Sequence, residues 1–273
     1  MAPKCTGQGM LAPMVLASFF GALNSRTGGI RYHARAWRQQ ATRWALYRRS
    51  LGRWLAEWSP PESNLIIVGA SGGYCLESQF LLKFEVIYAV DPDPLAPWFF
   101  RRQHPEVAER VRWIRDPVFD WSPESRSVDR WHEFLDAHAK SAVLFSGLLG
   151  QLRFLSEAAD ECQAYAQWRG RLAPLLEGRS WASFHDRLSG ERAPHFEGES
   201  GGVVRTAARL SDAEVLQRFY LGALGSESTS PELLDHLTDG LLPASLPHAY
   251  FKWEIVAGYS YLIEAVARRR DSP

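Results

Sequence analysis

The chain has 273 residues, of which 46% are hydrophobic, and its 31 basic residues are balanced by 31 acidic ones. This composition is typical of a folded globular protein and argues against a disordered chain, which would combine low hydrophobicity with high net charge. A formal net charge of zero removes the long-range attraction to nucleic acid that a basic protein has. The three cysteines, Cys5, Cys75 and Cys162, are too widely spaced for a disulfide framework or a zinc site, so a reducing, cytoplasmic location is predicted.

The first 60 residues are interpreted as an N-terminal helical extension. The apolar run from Met10 to Leu23 has 14 residues, fewer than the approximately 20 that a membrane span needs, so no span is predicted. From Arg31 to Trp58 the spacing of apolar residues predicts one amphipathic helix, which Pro60 and Pro61 end. Its arginines leave three interpretations open: a helix packed on the domain by its tryptophans, a helix on a membrane surface, or a cap that holds an anionic ligand.

Beyond this extension, short apolar runs alternate with helical stretches. Alternation of this kind is typical of an α/β protein with a mostly parallel sheet. We predict a second domain over residues 61–273, with an insertion at about residues 197–247 that does not fit the alternation. Alternating apolar residues on both sides of Gly258 predict a terminal antiparallel hairpin. The predicted strands are residues 64–68, 86–90, 111–115, 142–146 and 181–185, and the predicted helices include residues 76–84 and 154–172.

The most informative segment is "LIIVGASGGYCLESQFLLKFEVIYAVDPDP". A glycine-rich turn that follows a buried strand lets a ligand approach the backbone closely. Asp91 lies 22 residues beyond Gly69, at the end of the next predicted strand. In a parallel sheet these strand ends are neighbours, and a carboxylate placed there can accept hydrogen bonds from a ribose diol. The segment therefore predicts a nucleoside-binding site.

Two other chemistries could use the same turn. A dinucleotide-binding G-x-G-x-x-G motif would need glycine where the chain has Ser71 and Tyr74. The turn does fit G-x-S-x-G, the nucleophile elbow of a serine hydrolase, with Asp186 and His195 later in the chain. That fold needs several strands before the serine, and here one strand precedes it, so the hydrolase stays a second alternative.

From Asn64 onwards the sequence resembles the class I S-adenosylmethionine-dependent methyltransferases. "IIVGASGGY" is similar to their first motif, "VIYAVDPDP" to their second strand with its ribose-binding acid, and "AVLFSGLLGQL" to their fourth strand and its loop. The resemblance implies a Rossmann-like sheet of seven strands with the last one antiparallel, and S-adenosylmethionine as cofactor with S-adenosylhomocysteine as product. The cofactor-binding residues that it implies are Gly69, Ala70, Ser71, Gly73, Asp91, Pro92, Asp116, Ser146 and Gly147.

Two departures from the family pattern bear on function. The acid that usually precedes the first motif glycine by two residues is Ile67 here, and the middle glycine is Ser71. Since that acid commonly helps to anchor the methionine end of the cofactor, a noncatalytic binding or assembly protein with the same fold remains the alternative to an enzyme.

Candidates for contacts with the methyl acceptor come from two places. His185 follows the fifth predicted strand and is the first choice for a general base, with Asp186 beside it. Tyr32 and His33 would contact ligand if the N-terminal helix caps the cleft. The arginines of that helix favour a small, anionic acceptor, whereas no residue pattern in the chain predicts a metal site.

Overall fold

The computed structural model describes residues 29–115, 127–152, 169–196, 202–221 and 232–270. The predicted helix at residues 154–172 lies largely outside these ranges, and Asp116 lies outside them as well. The strands in chain order are β1 (Asn64–Val68), β2 (Val86–Val90), β3 (Val111–Ile114), β4 (Ser141–Ser146), β5 (Trp181–Gly190), β6 (Val203–Thr206), β7 (Leu234–Asp235), β8 (His248–Val256) and β9 (Tyr259–Arg268).

These strands form one sheet with the order β3-β2-β1-β4-β5-β9-β8-β6, and β7 pairs with β5 beside this path. The pairs among β1 to β5 along this order are parallel, whereas β9 is antiparallel to both β5 and β8. The described sheet is therefore Rossmann-like and mostly parallel, with antiparallel strands at one edge, as the sequence predicts. Two short strands from the predicted insertion, β6 and β7, extend it beyond the seven expected.

Strand positions agree closely with the sequence analysis, with one exception. The runs at β1 and β2 are the predicted ones, and Gly258, with a φ of 73°, lies in the turn of the predicted hairpin. β5 is the exception, because it continues to Gly190 instead of ending at His185. Its additional residues pair with β9 and β7 beyond the end of β4.

Helices cover both faces of the sheet and are mostly short. The described α-helices are α1 (Gly29–Gln39), α2 (Ala45–Glu57), α3 (Ser78–Leu81), α4 (Ala96–Gln103), α5 (Ser127–Ala137), α6 (Leu172–Leu175) and α7 (Asp212–Leu216). The predicted helix at residues 76–84 is shorter than expected, because only Ser78–Leu81 is α-helical. None of the described helices is long and apolar enough to cross a membrane.

The prediction of one continuous helix from Arg31 to Trp58 is wrong. Turn residues between Gln39 and Ala45 separate α1 from α2, with Trp44 N donating to the carbonyl of Gln39 instead of continuing the helical ladder. The break reorients the apolar stripe, so that Trp44 is buried whereas Trp37 is 47% exposed.

Tryptophans attach the extension to the terminal hairpin. Trp44 Nε1 donates to the carbonyl of Ile255, and Trp58 Nε1 donates to the carbonyl of Arg268. Trp44 also contacts Trp253 of β8 edge to face, at 4.9 Å between ring centroids. These contacts place α2 on one face of the sheet and hold α1 at the end where the parallel strands finish. The interpretation of a helix packed on the domain by its tryptophans therefore agrees with the structure.

Candidate functional site

The glycine turn after β1 has the backbone conformation that its sequence predicts. Gly69 and Gly73 have φ values of 78° and 68°, in the left-handed region that favours glycine. A Cβ at Gly69 would lie 3.0 Å from the carbonyl oxygen of Ser146, so β1 and β4 leave no room for a side chain there. Ser71 also has a positive φ, of 45°. The turn is therefore held in a fixed shape at the carboxyl ends of β1 and β4.

Asp91 lies beside this turn, at the end of β2. Its Oδ2 accepts a hydrogen bond from Ser71 N at 2.7 Å, and its Oδ1 accepts one from Asp93 N at 2.8 Å. Burial raises the pKa of Asp91 to about 6, although these two hydrogen bonds act in the opposite direction. Because a carboxylate has about four acceptor positions, two remain for a ligand. The predicted pairing of the glycine turn with the strand-end acid is thus present in the structure.

A clamp that the sequence did not indicate holds α1 to the same edge. Asp93 Oδ2 accepts hydrogen bonds from Gly29 N at 3.1 Å and from His33 Nε2 at 3.0 Å. His33 Nδ1 then accepts from the hydroxyl of Tyr74, and its ring stacks on Phe99 at 4.0 Å. Although burial opposes it, the hydrogen bond from His33 lowers the pKa of Asp93.

The structure shows what surrounds Tyr32 and His33, the two residues of α1 that were predicted to contact a ligand. His33 is fully buried and occupied by Asp93 and Tyr74, so its role in this structure is to dock α1. Tyr32 remains partly exposed. Burial is the main reason why the pKa of its hydroxyl is raised, and the negative charges of Asp186 and Asp91 raise it further. Of the two, Tyr32 is the one whose side chain keeps some exposure to solvent.

His104 is a second residue that the sequence did not indicate. Its Nε2 donates to the carbonyl of Gly73 at 2.9 Å, and its Nδ1 accepts from Ser78 Oγ at 2.9 Å. Burial lowers the pKa of His104, which favours the neutral ring that this pair of contacts requires. His104 therefore stabilises the glycine turn. No sequence motif identifies it, because its contact joins the end of α4 to a turn 31 residues earlier in the chain.

The loop after β4 completes the edge. Gly147 has a φ of 74°, and its N–H donates to the carbonyl of Phe184 in β5 at 2.9 Å. Ser146 is the last residue of β4 and lies against Gly69 through its carbonyl oxygen. The proposed cofactor residues of β1, β2 and β4 are thus brought together. Asp116, the proposed adenine contact after β3, lies outside the described residues.

The predicted position of His185 in a loop beyond β5 is wrong. His185 lies within β5, directly opposite Glu264 of β9, and is 4% exposed. Its Nδ1 hydrogen-bonds with Ser183 Oγ at 2.9 Å, and its Nε2 lies 3.7 Å from Glu264 Oε2. The sequence misplaced it because the pairing of β9 with β5 extends the strand beyond the point where the apolar run ends.

Glu264 is the centre of a buried ionic network. It accepts hydrogen bonds from Arg187 Nη1 at 3.2 Å and from Tyr250 at 3.2 Å, and Arg209 Nε lies 3.1 Å from its Oε1. His248 is 3.6 Å away. Although burial opposes it, His185 and the two arginines lower the pKa of Glu264 well below its usual range. This carboxylate is matched by charge on all sides, which is typical of a structural role.

Asp186, the residue after His185 in β5, has an environment opposite to that of Glu264. Asp186 is 2% exposed, and Gln151 Nε2 donates a hydrogen bond to its Oδ2. Burial raises the pKa of Asp186 to about 7. Its charge in turn contributes to raising the pKa values of Tyr32, Tyr47, Tyr261 and Cys75. The sequence indicated Asp186 only as a neighbour of His185 or as a hydrolase acid.

The turn differs from a nucleophile elbow in its distance from the next helix. The positive φ of Ser71 is the strained conformation that an elbow serine adopts. An elbow leads directly from strand to helix, whereas α3 begins only at Ser78. The N–H of Ser71 is bonded to Asp91, and the carboxylate of Asp186 is bonded to Gln151. The geometry therefore favours the nucleoside interpretation over the hydrolase.

S-Adenosylmethionine fits the edge in part. The remaining acceptor positions of Asp91, beside the glycine turn, suit the ribose end of the cofactor. Ile67, which replaces the usual acid, is fully buried in the core, so the methionine end needs other partners. The described residues contain no cluster of three or more histidine, cysteine or acidic side chains that could hold a metal ion.

The order and direction of the strands define the class of fold: a Rossmann-like, mostly parallel α/β sheet in which the final strand, β9, is antiparallel. No protein-family model matches the sequence, and no curated protein does. Among solved structures, the DhpI–SAH complex matches with 17% identity and a TM-score of 0.38, covering 93% of this chain and 99% of that one.

Two further matches are of the same kind. Geranyl diphosphate methyltransferase in complex with SAM has 15% identity and a TM-score of 0.32, covering 91% of this chain and 94% of that one. The glycopeptide N-methyltransferase MtfA with SAM has 15% identity and a TM-score of 0.30, covering 78% and 91%. These three matches are named as methyltransferases or are bound to SAM or SAH, in line with the resemblance predicted from the sequence. Because their TM-scores are below 0.5, the fold assignment rests on the topology of the sheet alone.

Proposed function

We propose that the protein transfers a methyl group from S-adenosylmethionine to a small-molecule acceptor. The observation that carries the proposal is the position of Asp91 beside the glycine turn, with Ser71 N 2.7 Å from its Oδ2. In a Rossmann-like sheet this is where a ribose diol is bound. The residues that would surround the cofactor follow four neighbouring strands in the sequence. They are Gly69, Ala70, Ser71 and Gly73 after β1, Asp91 and Pro92 after β2, Asp116 beyond the described end of β3, and Ser146 and Gly147 at the end of β4.

The cofactor supplies an electrophilic methyl group on a sulfonium, and the residues of this chain have three tasks. Asp91 and the glycine turn fix the position of the donor. The docked helix α1 excludes water from the edge, because Asp93 and His33 hold it over the turn. A side chain near the acceptor takes up the proton that the nucleophile loses.

The N-terminal extension, residues 1–60, is proposed as the cap of the methyltransferase-like domain, residues 61–273 with the insertion at 197–247. The positive charge of Arg35 acts to lower the pKa of Tyr261, and that of Arg48 acts to lower the pKa of Cys75, although burial raises both. These two arginines support a small acceptor that carries an anionic group. The balanced net charge supports the absence of a nucleic-acid partner, and the cysteine pattern supports a cytoplasmic location.

Calorimetric titration with S-adenosylmethionine and S-adenosylhomocysteine tests the proposal. We expect both to bind the wild-type protein, and Asp91→Asn to weaken binding by about 10- to 100-fold, since charge-assisted hydrogen bonds to the ribose are lost. Asp129→Asn, an exposed substitution on α5, is the matched control and should leave binding unchanged. The unfolding midpoint of each variant, measured without ligand, shows whether the turn remains folded.

A noncatalytic binding or assembly protein is the second candidate. It is favoured by Ile67 in place of the family acid and by the two backbone hydrogen bonds that Asp91 already accepts. The same titration separates the two functions. If neither ligand binds the wild type at millimolar concentration, the methyltransferase proposal fails; if binding survives Asp91→Asn unchanged, the site assignment fails.

A further inference from the structure

The group of residues around Asp186, namely Asp186, Gln151, Tyr32, Tyr47, Tyr261 and Cys75, is here called the Asp186 cluster. At its centre is a carboxyl group that is almost fully buried. Among the described residues it has a hydrogen bond from Gln151 and no ion pair. Because a buried carboxylate without a cation is unfavourable, such groups occur mainly where function requires them.

The backbone holds Asp186 in this position from the side of β4. A Cβ at Gly150 would lie 2.4 Å from the carbonyl oxygen of Asp186 and 2.7 Å from its nitrogen. Only glycine allows the loop after β4 to pack this closely on β5, and the next residue, Gln151, then reaches the carboxyl group. The same loop begins with Gly147, one of the proposed cofactor residues, so the cluster adjoins the donor site.

Unpartnered polar atoms lie on the aromatic wall beside the cluster. Tyr47 stacks on Trp253, with 4.9 Å between ring centroids, and the two residues are 3% and 8% exposed. Neither the Tyr47 hydroxyl nor Trp253 Nε1 has a hydrogen-bond partner among the described residues. Because buried polar groups are nearly always paired, these two point to a polar ligand.

Tyr32 connects the cluster to the donor site. Its ring centroid lies 6.0 Å from that of Tyr74, next to the glycine turn, and 6.1 Å from that of Trp44, which in turn contacts Trp253. The side chains of Tyr32 and Tyr261 are both partly exposed, so the cluster has two aromatic rings that a ligand can reach from solvent.

We propose that the Asp186 cluster binds the methyl acceptor, that the acceptor is an amine attached to an aromatic or similarly flat group, and that Asp186 is the proton acceptor of the transfer. This inference rests on the proposed function. An ammonium group supplies the cation that Asp186 lacks, and the faces of tyrosine rings also attract cations. The acceptor would carry this ammonium group together with the anionic group proposed above, which are the two charges of an aromatic amino acid.

The proton and the electrons of the transfer balance. The carboxylate of Asp186 takes one proton from the acceptor ammonium and frees the nitrogen lone pair. That pair forms the new N–C bond as the S–CH₃ bond of S-adenosylmethionine breaks, and the electrons of the broken bond stay on sulfur, giving S-adenosylhomocysteine. The positive charge passes from sulfonium to the methylated ammonium product, and Asp186 later releases its proton to solvent.

Binding to the protein saturated with S-adenosylhomocysteine tests the inference. The probes are tryptophan and tryptamine, which carry an amine, and indole-3-propionate, which does not. We expect at least one amine to bind, indole-3-propionate to bind about tenfold or more weakly, and Asp186→Asn to remove this preference. Asp129→Asn, on the exposed surface of α5, should keep it.

A second variant and a kinetic readout complete the test. Tyr47→Phe should weaken amine binding while S-adenosylhomocysteine binding stays unchanged. Formation of S-adenosylhomocysteine with the bound amine should rise with pH in the wild type and lose that dependence in Asp186→Asn. The inference is overturned if no amine binds the saturated protein, if indole-3-propionate binds as well as the amines, or if Asp186→Asn binds amines as the wild type does. Failure of S-adenosylhomocysteine itself to bind would instead contradict the proposed function.

Discussion

Two buried carboxylates on neighbouring strands have opposite environments. Glu264 faces His185 across the β5–β9 pair and is surrounded by Arg187 and Arg209. Asp186, the next residue after His185, points to the other face of the sheet, where Gln151 is its hydrogen-bond partner. The first carboxylate has its charge neutralised and its pKa lowered, and the second has its pKa raised by burial. Alternation along one strand thus separates a group that stabilises the fold from a group suited to proton transfer.

Removing the charge of Glu264 should have the largest effect. Glu264→Gln leaves Arg187, whose side chain is 1% exposed, without its buried partner. We expect the free energy of unfolding to fall by about 3 to 5 kcal/mol, as when one partner of a buried ion pair is removed. Urea unfolding at neutral pH measures this. A loss below about 1 kcal/mol would mean that the network does not stabilise the fold.

Asp186 should instead govern how stability depends on pH. Its folded-state pKa of about 7 lies above the usual 3.8, so the folded state binds the proton more tightly. That stability is present below about pH 4 and is lost as pH rises towards 7. Relative to the wild type, the free energy of unfolding of Asp186→Asn should increase by on the order of 4 kcal/mol over this interval. Urea unfolding of both proteins at several pH values tests this, and parallel curves would contradict it. Glu264, with its lowered pKa, contributes with the opposite sign, since its stabilisation is lost as pH falls.

His185 offers a way to test which face carries the chemistry. His185→Asn removes one group next to Glu264, and we expect the free energy of unfolding to fall by about 1 to 2 kcal/mol. Binding of S-adenosylhomocysteine should not change, and methyl transfer should fall less than in Asp186→Asn. If transfer is lost in the His185 variant and retained in the Asp186 variant, the sequence-based assignment of His185 as general base is the better one.

The smallest effect is expected at the outer edge of the Glu264 network. Asp212 pairs with Arg187 at 2.6 Å, but its side chain is 73% exposed. Asp212→Asn should therefore lower the free energy of unfolding by no more than about 1 kcal/mol. The same unfolding experiment compares it directly with Glu264→Gln. Equal losses in the two variants would show that burial does not set the energy of this network.

The sheet and the pairing of the glycine turn with Asp91 were predictable from the sequence because their signals are local. Apolar runs bounded by turn residues marked β1 and β2, and the glycine turn followed by Asp91 marked the proposed ribose site. The environments of Asp186 and Glu264 were not predictable, because they arise when β9 pairs with β5 beyond the end of β4. The break between α1 and α2 could not be predicted because it contains no proline or glycine. The hydrogen bond from His104 to Gly73 could not be predicted because the two residues are far apart in the sequence.

A crystal structure of the complex with S-adenosylhomocysteine tests the central claim most directly. The account predicts ribose hydroxyls within hydrogen-bond distance of Asp91 and the sulfur on the side of Tyr32 and Asp186. Ligand bound away from the glycine turn would contradict the donor site. A sulfur that points away from Asp186 would contradict the assignment of the Asp186 cluster as the acceptor site.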